Sequence, residues 1–437
     1  MDDSTLLRLE TYNPWLREPS AWPSALGPRL PAAPVERGAE LPLDARRTTL
    51  VVGPRQAGKS TLIQLRLAKL ETAPLILALD DPLLRGFCSS GARFLEAYKK
   101  LGRSFSAIVF DEIQHLEEAS LFLKTLIDLR PGVPIIATGS SAYHLRAGTR
   151  ESLAGRARRV RLLPFSITEA LQHAMAGEPA YRQGLTSSAT LDRMVLWGGY
   201  PDVWLEADAR QRQALLQDLV HAHVLRDASD AYRIRRPEAL RRLLRLAANQ
   251  VGNLVNMSEF ASLAGIAVST VDEYLGILED SHVIARVRPF LGGKRAEITS
   301  TPKLYFLDNG LRNSLHGGFA SFDERGDRGA LLENLVFTEL AKLAGPLDEL
   351  RFWRTKNGAE VDFVLRRGDR LIAVEVKASA MKRPTIPRAC RSFSQAYRPD
   401  LLLIVNLGMQ QDLDLEGVPV RFCQPWELAD ILNQQDR

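Results

Sequence analysis

Apolar and polar positions change rhythm several times along this chain, and each change predicts a different kind of element. Between residues 46 and about 164, short β-rich apolar runs alternate with amphipathic helical stretches. The runs are 48–52, 75–79, 107–110 and 133–138, with a fifth at 160–163. Such alternation predicts a parallel sheet with helices on both faces. From Ser166 to about Leu246 the pattern turns helical, broken at Gly198-Gly-Tyr-Pro201. A short helix from Met257, ended by Gly265, and a second one through Glu279 predict a helix–turn–helix. Ser269-Thr-Val-Asp272 reads as the capping box of its second helix. Residues 283–288 read as a strand, which makes the unit a winged helix–turn–helix. A new α/β pattern begins near Leu331 and runs to the C-terminus. The expected division is an irregular, proline-rich lead-in (1–45), an α/β core (46–165), a helical lid (166–246), the winged unit (247–300) and a C-terminal α/β domain (325–437).

Composition adds little to that picture. With 437 residues, 45% apolar and 25% charged, the chain is an ordinary globular one, long enough for about three domains. A net charge of +5 mildly favours an anionic partner. Cys88, Cys390 and Cys423 show no paired spacing, so neither a disulfide framework nor a zinc site is indicated. The acidic N-terminus lacks a secretory pattern and no apolar run reaches bilayer length, so a cytoplasmic protein without a membrane partner is expected.

Local chemistry is far more informative. The first strand runs into Gly53-Pro54-Arg55-Gln56-Ala57-Gly58-Lys59-Ser60, which fits the phosphate-loop pattern G-x-x-x-x-G-K-[ST], and Thr61 opens the helical run behind it. Glycines let backbone N–H groups turn toward phosphates, Lys59 reaches the outer ones, and Ser60 is a Mg²⁺ ligand. ATP and Mg²⁺ are therefore expected. Asp111-Glu112 ends a later apolar run and belongs at the carboxyl edge of the same sheet. Asp111 is expected to hold Mg²⁺ and Glu112 to activate the attacking water. At the end of the next strand, Thr138, Ser140 and Ser141 are candidates for a contact to the γ-phosphate, Ser140 being preferred. Arg156, and after it Arg158, is the candidate arginine finger. A finger acting in trans requires head-to-tail assembly into a ring such as a hexamer.

Taken together, Asn13-Pro-Trp15, the phosphate loop, Phe110-Asp-Glu-Ile-Gln114, Thr138-Gly-Ser-Ser141, Leu153-Ala-Gly-Arg156 and Gly198-Gly-Tyr-Pro201 resemble one family of bacterial and archaeal AAA-type ATPases. Its members carry a C-terminal domain of unknown function. The resemblance implies ATP binding and hydrolysis and leaves the biological task open.

The C-terminal pattern carries a second candidate site. Two β-rich runs around Glu360-Val361-Asp362 and Glu375-Val376-Lys377 are joined by a glycine turn and read as a hairpin. Strand alternation directs Asp362, Glu375 and Lys377 toward one end of it. This resembles the PD-(D/E)XK nuclease superfamily, with Glu333 matching an additional acid of many members. The resemblance implies Mg²⁺ on Asp362, Glu375 and Glu333, with Lys377 as the catalytic lysine. Residues 226–245 hold seven arginines against three acids, and residues 382–398 hold five basic residues and no acid. Phosphate backbones are bound by such clusters. The second helix of the helix–turn–helix is acidic, so direct groove reading by it is doubtful. The combined expectation is an α/β ATPase acting on DNA, with branched DNA an attractive substrate. The competing expectation is a nucleotide-controlled signalling switch whose C-terminal domain is a non-catalytic interaction module.

Overall fold

The computed structural model describes residues 2–139, 153, 155–179, 182–221, 234–292, 301–316, 318–379 and 381–434. The chain divides into two compact units, Met1–Leu163 and Pro164–Arg437.

In the first unit the described elements are α1 (Asp3–Tyr12), β1 (Thr48–Val52), α2 (Lys59–Leu67), β2 (Leu75–Ala78), α3 (Pro82–Phe87), α4 (Gly91–Lys100), β3 (Ile108–Asp111), α5 (Ala119–Leu129), β4 (Ile135–Gly139) and β5 (Ala157–Arg161). The strands form one sheet in the order β2-β3-β4-β1-β5, and every pairing is parallel. Side chains alternate across it. Leu50, Leu77, Phe110 and Ala137 pack on one face with Phe94 of α4 and Phe122 of α5. Val51, Ile76, Val109 and Ile136 pack on the other with Leu62 and Ile63 of α2. Two separate cores therefore hold the sheet from both sides, as the apolar pattern predicts.

Two expectations need correction here. The fifth strand lies at Ala157–Arg161 rather than 160–163, with Thr48 opposite Ala157 and Val52 opposite Arg161. It is an edge strand and largely exposed, so apolar content was a poor guide to its limits. The lead-in is not irregular throughout. Asp2 caps a ten-residue helix through a bond from the Thr5 N–H. Asn13 then donates to the Ile76 carbonyl and accepts its N–H, at 2.8 and 2.7 Å. Trp15 donates to the Pro74 carbonyl at 2.7 Å. The Asn-Pro-Trp motif thus satisfies backbone groups on the open edge of β2.

The second unit begins with α6 (Ile167–Met175), α7 (Gln183–Trp197), α8 (Pro201–Leu205), α9 (Ala209–Asp218) and α10 (Pro237–Asn249). The Gly198-Gly-Tyr-Pro201 motif is a structural junction. The Gly199 N–H donates to buried Asp308 at 2.7 Å, and a Cβ on Gly199 would meet the Phe165 carbonyl oxygen at 2.4 Å. Next come α11 (Met257–Ala264) and α12 (Val268–Asp280), with 96° between them, then the antiparallel pair β6 (Ile284–Val287) and β7 (Lys303–Phe306). The expected capping box at Ser269 is absent. Helix α12 starts two residues earlier than that box requires, at Val268 behind Ala267, with no side-chain cap, and Asp272 instead forms an ion pair with Arg286 of β6.

After α13 (Asn309–His316) and α14 (Arg328–Leu343) come β8 (Glu349–Arg354), β9 (Glu360–Arg367), β10 (Arg370–Lys377), α15 (Arg388–Tyr397), β11 (Leu401–Asn406), β12 (Gln411–Leu415), β13 (Val418–Cys423) and α16 (Leu428–Gln434). The sheet order is β12-β13-β11-β10-β9-β8. Strands β9 and β10 form the expected hairpin, antiparallel with Val374 opposite Phe363. Gly368 in its turn has a φ of +57°, where a side chain is unfavourable.

Candidate functional site

Three neighbouring strand ends of the first unit build the first site. Strand β1 runs into the phosphate loop, β3 ends at Asp111 and β4, between them in the sheet, carries Thr138. Open α/β sheets bind ligands at this edge. The loop is conformationally demanding. Gly58 has φ +88° and Gln56 φ +59°, and a Cβ on Gly53 would meet the Leu162 carbonyl oxygen at 1.9 Å. Gly58 is the N-cap of α2, whose first-turn N–H groups make the loop a ready anion site.

Lys59 is only 4% exposed. Its ammonium donates to the carbonyls of Gly53 and Pro54, at 3.3 and 3.0 Å. Desolvation lowers its pKa, against the opposing fields of Glu112 and Asp111. The cation is thus held by loop carbonyls, with a deficit of negative charge that a phosphate would supply. Ser60 donates to both oxygens of Asp111, at 3.0 and 2.8 Å. Burial raises the Asp111 pKa, although hydrogen bonds from Thr138 and Ser60 oppose the rise. These hard oxygens suit Mg²⁺, which is held by one or two protein ligands together with substrate phosphates.

Thr138 ties the site together. Its hydroxyl donates to Asp111 at 2.5 Å and accepts the Glu112 N–H at 2.8 Å. Glu112 itself sits at φ +57°, and its carboxylate accepts from the Gln114 amide. Of the candidates at the end of β4, Thr138 is therefore the one that reaches the carboxylates, while Ser140 and Ser141 lie outside the described residues. Arg156 is not brought to this loop. It precedes Ala157, which pairs with Thr48 at the opposite end of β1, and its guanidinium meets Asp128 at 3.0 Å. Arg158 sits opposite Thr49 at that same end.

Sequence reasoning missed Arg37. This buried lead-in arginine donates to the carbonyls of Ala57 in the loop and Leu163, at 2.9 and 2.6 Å. An arginine in a proline-rich stretch carries no local signal of such a role. Gln114 was likewise visible in the sequence but without an assigned task.

The second unit does bring Asp362, Glu375 and Lys377 together. Strand pairing gives out after Val374–Phe363, and beyond it the Asp362 carboxylate accepts the Val376 N–H at 2.8 Å. Lys377 donates to Glu375 at 2.5 Å. Burial raises the Asp362 pKa, reinforced by the charges of Glu333 and Glu375 and opposed by Lys303. Burial also raises that of Glu375, opposed by Lys377 and by the Cys390 thiol.

Glu333 has other partners. Lys303 of β7 donates to it at 3.1 Å and Tyr305 at 2.6 Å. Lys303 also pairs with Glu360. Desolvation works against this ammonium, but the fields of Glu333, Asp362 and Glu360 together raise its pKa. Among the described residues no group of three or more His, Cys, Asp or Glu side chains is placed to hold a metal ion. The expected ligand set of Glu333, Asp362 and Glu375 is therefore not assembled: a lysine from another strand holds the first of them. Lys303 carried no signal in the sequence, because its pairing depends on β7 packing against α14.

Residues 45–171 match the family model of an AAA domain. This segment is an AAA-type P-loop ATPase domain. Residues 188–321 and 328–422 match two domains of unknown function, DUF8612 and DUF4143. An uncharacterized protein of Mycobacterium tuberculosis is 27% identical over 78% of this chain and 72% of its own length. Another, from Methanocaldococcus jannaschii, is 24% identical over 76% of this chain and 75% of its own. Among solved structures, a Walker-type ATPase of Pyrococcus abyssi has a TM-score of 0.41 at 18% identity, covering 61% of this chain and 90% of that one.

Proposed function

We propose that this chain is an ATP-hydrolysing AAA-type protein that acts on DNA. The observation that carries the first half is Lys59, buried in the loop beside the Ser60–Asp111–Thr138 cluster and bonded to loop carbonyls. Lys59 would bind the outer phosphates, and the first turn of α2 would orient them. Ser60 and Asp111 would hold a Mg²⁺, which neutralises phosphate charge. Glu112, fixed through its N–H by Thr138, would orient the attacking water. Arg156 faces away from its own loop, so any role at a phosphate would be in a neighbouring copy of a ring.

The DNA half rests on positive charge. Exposed arginines of α10, Arg241 and Arg242 among them, and the basic residues around α15 offer contacts to a phosphate backbone. No cleavage step is assigned to Asp362, Glu375 and Lys377, because Glu333, the further acid expected beside them, is held by Lys303 and Tyr305. Magnesium-dependent nicking that vanishes in Asp362→Ala and survives in Lys59→Ala would overturn that assignment.

The test is the rate of ATP hydrolysis with and without single-stranded, duplex and four-way DNA across a salt series. Hydrolysis stimulated by at least one form, with the effect fading as salt rises, is the expected result. Slow turnover that no DNA form changes would favour the signalling switch instead.

A further inference from the structure

We propose that a groove between the β6 end and strands β8 and β9 binds the backbone of a single-stranded nucleic acid. The proposal rests on the DNA reading above and gives it a location that neither basic cluster in the sequence contains.

Residues just after β6 leave the helix–turn–helix and join the C-terminal sheet. The Phe290 N–H donates to the Phe352 carbonyl at 2.6 Å, and the Phe352 N–H donates to the Arg288 carbonyl at 3.3 Å. This short pairing covers the outer edge of β8 and sets arginines from three segments around one cavity of about 700 Å³. Arg286 and Arg288 come from the β6 side, Arg351 from β8 and Arg366 from β9. Arg366 stands opposite Glu349 in the β8–β9 register.

The four guanidiniums are not equivalent. Arg286 is neutralised by Asp272 and Glu279, and Arg351 lies 3.7 Å from Glu349. Arg288 and Arg366 are exposed, and among the described residues neither has an ion-pair partner. Arg366 is held instead over the Phe290 ring, 5.5 Å from its centroid. Phe290 in turn packs edge-on against Phe393 and Tyr397, so the guanidinium rests on a rigid aromatic platform. Arg366 on that platform and exposed Arg288 on the same cavity wall thus offer two guanidiniums without ion pairs among the described residues, and the planar fork of arginine is well shaped for phosphate.

Size and surroundings decide the class of ligand. A cavity of this volume has the dimensions of a small-ligand cleft. Duplex recognition instead spreads over ~1,000–2,500 Å² of protein surface. Exposed Leu291 lies on the same wall, offering an apolar contact to an unstacked base. The acidic helix α12 borders the groove through Asp272, which disfavours insertion of that helix into a DNA major groove and leaves the arginine wall as the phosphate-facing side.

The test uses the full chain and a fluorescently labelled oligothymidylate, with binding followed by anisotropy across a salt series. Arg288→Glu/Arg366→Glu should weaken binding by about tenfold or more at low salt. It should also reduce the slope of log affinity against log salt by about 1.4, or 0.7 for each lost phosphate contact. Arg241→Glu/Arg242→Glu on α10 makes the same change of net charge and should have the smaller effect. Thermal unfolding and basal ATP hydrolysis should match wild type, and Arg288→Gln/Arg366→Gln should reproduce the loss without charge reversal. Equal losses in both charge-reversed variants would overturn the groove as the site. So would displacement by polyglutamate, matched for charge, as efficient as displacement by unlabelled oligothymidylate. Wild-type binding that survives in the groove variants sinks this inference alone, whereas a wild type that binds no DNA of any form sinks the DNA reading with it.

Discussion

Two buried lysines, one in each unit, have opposite electrostatic lives. Lys59 is 4% exposed and bonded to two carbonyls, and burial lowers its pKa. Lys303 is 2% exposed and paired with Glu333 and Glu360, and its pKa rises despite burial. A buried ammonium with too little negative charge around it is a site prepared for an anion. One already surrounded by carboxylates is part of the structure. The lesson is that a lysine beside carboxylates is functional or structural according to which charges the fold has already brought to it.

The most damaging change predicted by this contrast is Lys303→Met. It removes the ammonium held by half-buried Glu333 and Glu360, Glu360 keeping only Arg354, and should cost about 3 kcal/mol of folding stability, the lower end of the range for breaking a buried pair. Denaturant unfolding monitored in the second unit measures it, and a loss below about 1 kcal/mol would contradict the assigned pairing. Lys59→Ala should do the reverse, sparing stability while lowering ATP turnover about 10²–10³-fold, the scale for loss of one transition-state donor. Phosphate release is the readout, and near-normal turnover would remove Lys59 from the phosphates.

A smaller effect concerns pH. The Asp362 pKa is raised in the folded chain above its ordinary 3.8. Below 3.8 both folded and unfolded forms are protonated and the group is neutral to stability. As pH rises above 3.8 the unfolded chain releases the proton first, so stability falls through the window up to the folded pKa. Asp362→Asn should flatten that decline, and an unchanged midpoint-versus-pH curve would show that Asp362 is not the source. The smallest effect belongs to Arg156→Ala. Its pair with Asp128 is exposed on both sides, so stability should change by no more than about 0.2–1 kcal/mol. If Arg156 serves a neighbouring copy, mixing this variant with Lys59→Ala should restore part of the hydrolysis that each lacks; no recovery in the mixture argues for a purely local role.

Legibility differed between the two sites for a physical reason. The phosphate loop is contiguous, and each of its demands falls on a nearby residue: a glycine where a Cβ would strike Leu162, a lysine at the helix start, a serine beside it. Asp111 followed from the end of an apolar run, since a parallel strand delivers its last residue to the same edge. The hairpin holding Asp362 and Glu375 was also readable from period-two alternation. Thr138 was only one of three choices, because its role depends on which strand end lies between β1 and β3.

By itself, then, the amino-acid order determined the phosphate loop, the parallel sheet behind it and the hairpin that brings Asp362 beside Glu375. Those features arise from periodicity and from contacts between residues close in the chain. Tertiary structure alone decided that Arg37 braces the loop, that Lys303 holds Glu333, and that Arg288 and Arg366 share a groove. Each of these joins segments far apart in sequence, and a charged side chain acquires its role only when packing fixes which opposite charges, and how much water, surround it.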